Sequence, residues 1–255
     1  MKQFDIISDL NLTEGDDFNW DGKATSLGCI VAGNIASDRY ILFSALEELT
    51  KHYAKVFFID GALEHVGFSG NFIQSYADLE RGIDEIENVY FLHESIVILN
   101  GATLIATNGW TTFDFTQPGT ADDNIEFIDL RGISTEATSY AIRQMAVFDS
   151  QYLENSIKTC QAIEDCNNII MITSTIPDVN LIMHDYNYHH TILGDTAGNI
   201  NIQDCFRSDT KRKINKWVFG TYAGDIDIKV ENIQYISNTY NGSDLKMYHP
   251  KILKY

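Results

Sequence analysis

Short apolar runs alternate with amphipathic stretches along the chain, and most of the runs end in acidic, amide, hydroxyl or glycine residues. "QFDIISDLN" predicts a strand that runs out at Ser8-Asp9. "LGCIVAGNIAS" is almost continuously apolar, the pattern of a strand covered on both faces. "SDRYILFSALEELTKHY" switches to helical spacing: Ser37 or Asp38 can cap it, and Ile41, Leu42, Ala45, Leu46 and Leu49 form one stripe. "KVFFID" predicts the next strand and "GALEH" a loop, which completes a βαβ opening. A second helix is expected over "SYADLERGIDEIEN". "SIVILN" and "ATLIATNGW" read as a hairpin turning at Asn100-Gly101.

Residues 139–165 read as mostly helical, and "NNIIMITSTIP" returns to a buried strand. "KWVFGTY", "DIDIKV" and "NIQYISN" close the chain as a short antiparallel set, with a turn at Glu231-Asn232. This order predicts a mixed α/β sandwich rather than a doubly wound sheet. No GxGxxG follows the first strand and no GxxxxGK[ST] occurs, so dinucleotide and P-loop chemistry have no motif to rest on.

Composition narrows the classes. At 255 residues, with 44% hydrophobic content, 3 prolines and no Pro/Gly/Ser-rich linker or repeat, a single domain over residues 1–255 is the economical reading. The net charge of −18 disfavours nucleic-acid binding, which needs clustered Lys and Arg. The one basic knot, "KRKINK" at Lys211 to Lys216, reads as a solvated turn before a strand. No stretch is long enough to span a membrane, and the N-terminus lacks a signal-peptide pattern. The 4 cysteines form no CxxC, and Cys29 reads as a core thiol. A reducing, intracellular setting is therefore expected. The many Asn and Ile with few Lys and Arg are compatible with a viral gene product, which would place the protein in a virion or host cytoplasm.

The strand ends, taken in order, resemble the motifs of the calcineurin-like metallophosphoesterases: D-x-H, G-D-x-x-[DN], G-N-H-[ED], a lone His after a buried strand, and G-H-x-H. In "ISDLNL", Asp9 is kept and Asn11 stands where the His belongs. In "IVAGNIAS", Gly33 is kept, Asn34 replaces the bridging Asp, and Ser37 replaces the last Asp or Asn. In "FIDGALEH", Gly61 and Glu64 are kept while Ala62 and Leu63 replace Asn and His. Ser174 replaces the lone His, Thr221 and Ala223 replace the final pair, and Thr239 replaces the Pro of a closing S-N-P. A one-residue slip would bring in Asp38 or His65 instead of Ser37 or Glu64.

The resemblance spans nearly the whole chain. It implies a four-layer αββα sandwich of two mixed sheets flanked by helices, with two divalent metals such as Mn, Fe or Zn at the strand ends. Such a centre needs carboxylates and neutral imidazoles, and one Asp among amides, hydroxyls and apolar side chains cannot neutralise two dications. The expectation is a member without cofactor or catalysis that binds, scaffolds or assembles, through an unknown protein partner or through itself. The alternative is an active phosphoesterase with a rebuilt site from Asp9, Glu64, His184, His189 and His190, with Asp185 and Asp195 as further candidates. The other constellations are weaker. The acidic loop from Asn11 to Gly22 lacks calcium-loop spacing, as does the acidic stretch near Asp122. Ser174 has no G-x-S-x-G elbow, and Trp110 and Phe113 are expected to cap the core beside the site.

Overall fold

The computed structural model describes residues 2–66, 72–115, 136–182, 197–222, 224–240, 242 and 244–255. Two sheets stack face to face. The first runs in the order β11 (Lys251–Lys254), β1 (Gln3–Ile7), β2 (Gly28–Ala32), β3 (Lys55–Ile59), β4 (Val89–Phe91). The second runs β5 (Ser95–Leu99), β6 (Ala102–Ala106), β7 (Ile169–Ile172), β8 (Ile214–Val218), β10 (Ile233–Asn238), β9 (Asp225–Val230). Both are mixed: β1 to β4 are mutually parallel with β11 antiparallel at the edge. In the second sheet β6, β7, β8 and β10 are parallel, and β5 and β9 are antiparallel edges.

The layers follow from which face each side chain takes. Phe4, Ile6, Ile30, Phe57, Leu104, Ile170, Val218 and Ile236 fill the space between the sheets. The outer face of the first sheet packs on α1 (Arg39–Thr50) and α2 (Phe72–Asp84) through Leu42, Leu46, Leu49, Leu79 and Ile83. The second sheet is covered by α3 (Glu136–Ala162) and a 3-10 helix over Ile200–Ser208, through Leu153, Ile157, Ile202 and Trp217. This is the four-layer αββα sandwich. Strands buried on both faces cannot alternate polar and apolar residues, which is why β2 and β7 read as unbroken apolar runs and β6 is interrupted by Thr103 alone.

Several local expectations need correction. β8 and β10 are parallel, so of the three closing strands β9 and β10 alone form a hairpin, turning at Glu231 with φ 52. "GALEH" closes into a 3-10 turn over Ala62–His65. The second helix starts at Phe72, and the segment after it yields β4, a three-residue strand. β11 was not anticipated. Asp38, not Ser37, caps α1 by accepting from the Ile41 amide at 3.0 Å. The basic knot does more than turn: Lys211 Nζ donates to the Gln161 carbonyl, and Lys213 Nζ donates to those of Cys160 and Ile163. Those are acceptors at the C-terminal end of α3, where cations are favoured. No helix among the described residues is long and apolar enough to cross a membrane.

Candidate functional site

The parallel strands of both sheets deliver their C-terminal ends to one face, and the residues just beyond β1, β2, β8 and β10 converge. Asp9 sits at the centre with 4% of its surface exposed. Asn34 Nδ2 donates to Asp9 Oδ1 at 2.7 Å. The Thr221 amide donates to both carboxylate oxygens at 3.0 Å, and Thr239 Oγ1 donates to Oδ2 at 2.9 Å. Burial pushes the Asp9 carboxyl up, these donors pull it back, and the balance leaves it at about 6. The donors are anchored in turn. Asn34 Oδ1 accepts from the Leu63 amide at 3.0 Å, and Thr221 Oγ1 donates to the Ser174 carbonyl at 2.6 Å.

The backbone here is bent for a site. Asp9, Asn11, Asn34 and Thr221 all take the left-handed conformation, with φ of 51, 49, 55 and 60. For a β-branched residue such as Thr221 that is a costly state, kept only where surrounding bonds hold it. Gly220 lets three strands close in: a Cβ there would lie 2.9 Å from Asp9 Oδ2 and 3.0 Å from the Ser174 carbonyl. A parallel bridge between Ser8 and Thr239 ties the two sheets together beside it.

Glu64 is turned the other way. Its carboxylate accepts from the amides of Ile35 at 2.6 Å, Gly61 at 2.7 Å, Asn34 at 3.0 Å and Ala36 at 3.3 Å. Burial raises it to about 7. It therefore pins the turns after β2 and β3. Ser37 is exposed, and Asn11 is also exposed, with Nδ2 on the Asp9 carbonyl at 2.7 Å. Ala62 packs against the cluster of Trp110 and Phe113, which do cap the core there. Ala223, His184, His189 and His190 lie outside the described residues, as do Asp185, Asp195 and Asp122.

A second buried cluster lies beyond β3 and β6, unannounced by any motif. His65 Nε2 meets Asp60 Oδ2 at 2.9 Å, and His65 Nδ1 meets Ser75 Oγ at 2.7 Å. Asn108 Nδ2 donates to the Asp60 carbonyl at 3.0 Å and to its carboxylate at 2.7 Å. Burial pushes Asp60 up, but the hydrogen bond and charge of His65 outweigh it, with His93 and Asn108 adding to them, so Asp60 stays below the usual carboxylate range. Beside it Asp149 accepts from Thr107 and from the Trp110 amide, and burial raises it to about 6. Ser, His and Asp in contact suggest a triad, but Ser75 and Asp60 are buried and His65 is wedged among Phe72, Tyr76 and Trp110. Ser75 has only 2% of its surface exposed among the described residues. The cluster ties α2 to the strand ends, with Arg39 bonded to Ser75, Asp78 and the Glu64 carbonyl.

The donor set at the Asp9 cradle does not fit a dinuclear metal centre. Among the described residues, no group of three or more His, Cys, Asp or Glu side chains could hold a metal ion. Protons from Asn34, Thr221 and Thr239 point at the one carboxylate, which a dication would have to displace. A cavity of about 800 Å³ lies between the loop from Leu12 to Phe18 and the start of α1, lined by Phe18 and Tyr40 and by Glu14, Asp16, Asp17 and Asp38. Its charge repels phosphate esters.

No family model matches the chain, and no curated protein matches it. Solved structures do. A phosphopantetheinyl hydrolase from Mycobacterium tuberculosis superposes with a TM-score of 0.70 at 14% identity, over 94% of this chain and 90% of that one. A protein from Staphylococcus aureus described as a 5'-nucleotidase, in complex with alpha-ketoglutarate, gives a TM-score of 0.50 at 12% identity. That match covers 99% of this chain and 52% of the other. At such identities the likeness shows a metallophosphoesterase-like fold.

Proposed function

We propose that this chain is a non-catalytic member of the metallophosphoesterase fold, a pseudo-phosphoesterase that works by binding or assembly. One observation carries the reading: the Asp9 carboxylate is saturated by protons from Asn34, Thr221 and Thr239. Asn34 and Thr221 stand where the resembled family has metal ligands, and Thr239 where it has a proline. Hydrogen bonds have taken over the packing role of the metals at these strand ends, so the fold is held without them. The acidic cavity lined by Glu14, Asp16, Asp17 and Asp38 supports a partner other than a phosphate ester. No step of phosphoester hydrolysis is available to hydroxyls and amides alone, because nothing there activates water or offsets the charge of the leaving oxygen.

Elemental analysis of the purified protein tests this, together with turnover of a generic phosphodiester in added manganese. The expected result is substoichiometric metal and no turnover above buffer. Stoichiometric metal with turnover abolished by Asp9→Ala would overturn the reading.

A further inference from the structure

The six-stranded sheet has a free edge whose charges match themselves. β9 reads Asp-Ile-Asp-Ile-Lys-Val from Asp225 to Val230 and lies beyond β10 with no strand on its other side among the described residues. Ile226, Ile228 and Val230 share one face, and the last two are each 45% exposed. Asp225, Asp227 and Lys229 share the other.

Backbone parity fixes what the edge offers. The Phe219 amide donates to the Ile236 carbonyl at 3.0 Å, so the even-numbered peptide groups of β10 face β8. The odd-numbered ones, at Ile233, Tyr235 and Ser237, therefore face β9, where they lie opposite Val230, Ile228 and Ile226. That leaves the N–H and C=O groups of Asp225, Asp227 and Lys229 pointing outward. An incoming antiparallel strand must set its own outward groups opposite these.

We propose that a second copy of this chain pairs on β9 across a two-fold axis, with Asp227 opposite Lys229 of its mate and Ile228 opposite Ile228. In that register the outward peptide groups of Asp227 and Lys229 exchange hydrogen bonds twice. The two Ile228 side chains meet at a non-hydrogen-bonded position, where Cα atoms approach to about 4.5 Å. Ile226 lies opposite Val230, so one face of the junction is wholly apolar and the other carries two opposite-charge pairs. Of the two neighbouring registers that keep the parity, one sets Asp227 against Asp227 and leaves Lys229 opposite an Asp225 already held by Lys251, and the other sets Lys229 against Lys229 and Asp227 against Glu231. At the ends Asp225 faces Glu231 of the mate, but Lys251 Nζ already neutralises Asp225. The opposite edge, β5, exposes Ile96 and Ile98 with no charge on the strand to select a register, so it lacks this self-match. The result is a closed dimer with one continuous sheet, and no exposed β9 edge remains. This inference goes beyond the metal-free reading and stands whether or not the cradle binds a cation.

Sedimentation velocity on the full chain tests it, at about 0.15 M salt so that overall charge repulsion is screened beyond about 8 Å. A dimer is expected in the tens of micromolar. Ile228→Lys should leave a monomer, and Asp227→Lys or Lys229→Asp should each weaken association at least tenfold. An equimolar mixture of those two charge variants should associate again, since one chain then presents lysine at both positions and its mate presents aspartate at both. The doubly swapped chain should likewise dimerise alone. These residues are exposed, and circular dichroism confirms folding of each variant. A wild-type chain that stays monomeric would overturn the proposal. So would a dimer indifferent to Ile228→Lys, or charge variants that do not recover on mixing.

Discussion

Asp9 and Asp60 follow β1 and β3 of the same sheet, and both are buried, with 4% and 0% of their surfaces exposed. They answer that burial in opposite ways. Asp9 is met by dipoles alone, an amide, a peptide N–H and a hydroxyl, and its carboxyl rises to about 6. Asp60 is met by the ring of His65 as well as by Asn108, and its carboxyl falls below the usual range. Neutral donors soften the cost of burying a charge, whereas a countercharge can exceed it. The Asp9 cradle holds dipoles. The imidazole partner sits at the end of β3, two strands from β1, in a buried cluster.

The largest expected effect comes from breaking the charged member of this pair. His65→Ala removes the strongest partner of Asp60 and leaves a buried carboxylate with Asn108 Nδ2 still donating to it, which costs about 3 kcal/mol. It also opens the contacts with Phe72, Tyr76 and Trp110. Urea denaturation at neutral pH reads the loss. A cost under about 1 kcal/mol would mean that Asp60 is already neutral and the contrast with Asp9 is false.

The pH dependence sharpens the comparison. Asp9 is raised from 3.8 to about 6, so the folded state holds its proton more tightly than the unfolded chain. Its contribution is fully present below about 4 and is lost as pH rises through about 6, amounting to about 2–3 kcal/mol. Asp60 has the opposite sign: its contribution is present above the unfolded carboxylate value and is lost as pH falls below it. Stability should therefore fall on both sides of a maximum on the acid side of neutrality. Asp9→Asn should flatten the alkaline limb and leave the acid limb. Glu64 and Asp149, at about 7 and about 6, keep part of the alkaline fall in that variant. The difference between wild type and variant, measured from about pH 4 to about pH 8, isolates Asp9. A variant curve parallel to wild type would rule out a raised Asp9.

Much of the fold was legible because burial on both faces writes itself as apolar runs. β1, β2, β3, β6 and β7 each end where a polar residue begins, and their order alone led to the sandwich. Strands at edges left weaker marks. β4 is three half-exposed or exposed residues, and β11 is four residues just past Pro250. Parallel pairing of β8 with β10 was hidden because β9, between them in sequence, sits outside them in space. The Asp9 cradle was visible as a set of positions, though not as a network. "ISNTY" showed a threonine in place of a proline, and only the bridge from Ser8 to Thr239 shows its hydroxyl aimed at Asp9. The Asp60 cluster joins residues 60, 65, 75 and 108, whose meeting is set by topology rather than spacing. The one local sign was an acidic residue ending an apolar strand, five residues before a histidine.

Thr239→Val is the smallest change and the most specific. It keeps the shape of the side chain and removes one donor to Asp9 Oδ2. Thr239 also touches the Ser8 and Ser237 hydroxyls, at 3.4 and 3.3 Å. The bond to Asp9 is worth most while the carboxylate is charged. Its loss should cost about 1 kcal/mol above the Asp9 titration and less below it. Losing a donor that favours the charged form should also move that titration upward from about 6. Denaturation at about pH 5 and about pH 8 separates this from a packing effect, which would be equal at both. Equal losses would mean that the hydroxyl serves the bridge between the sheets, and that Asn34, Thr221 and Ser8 solvate the carboxylate without it.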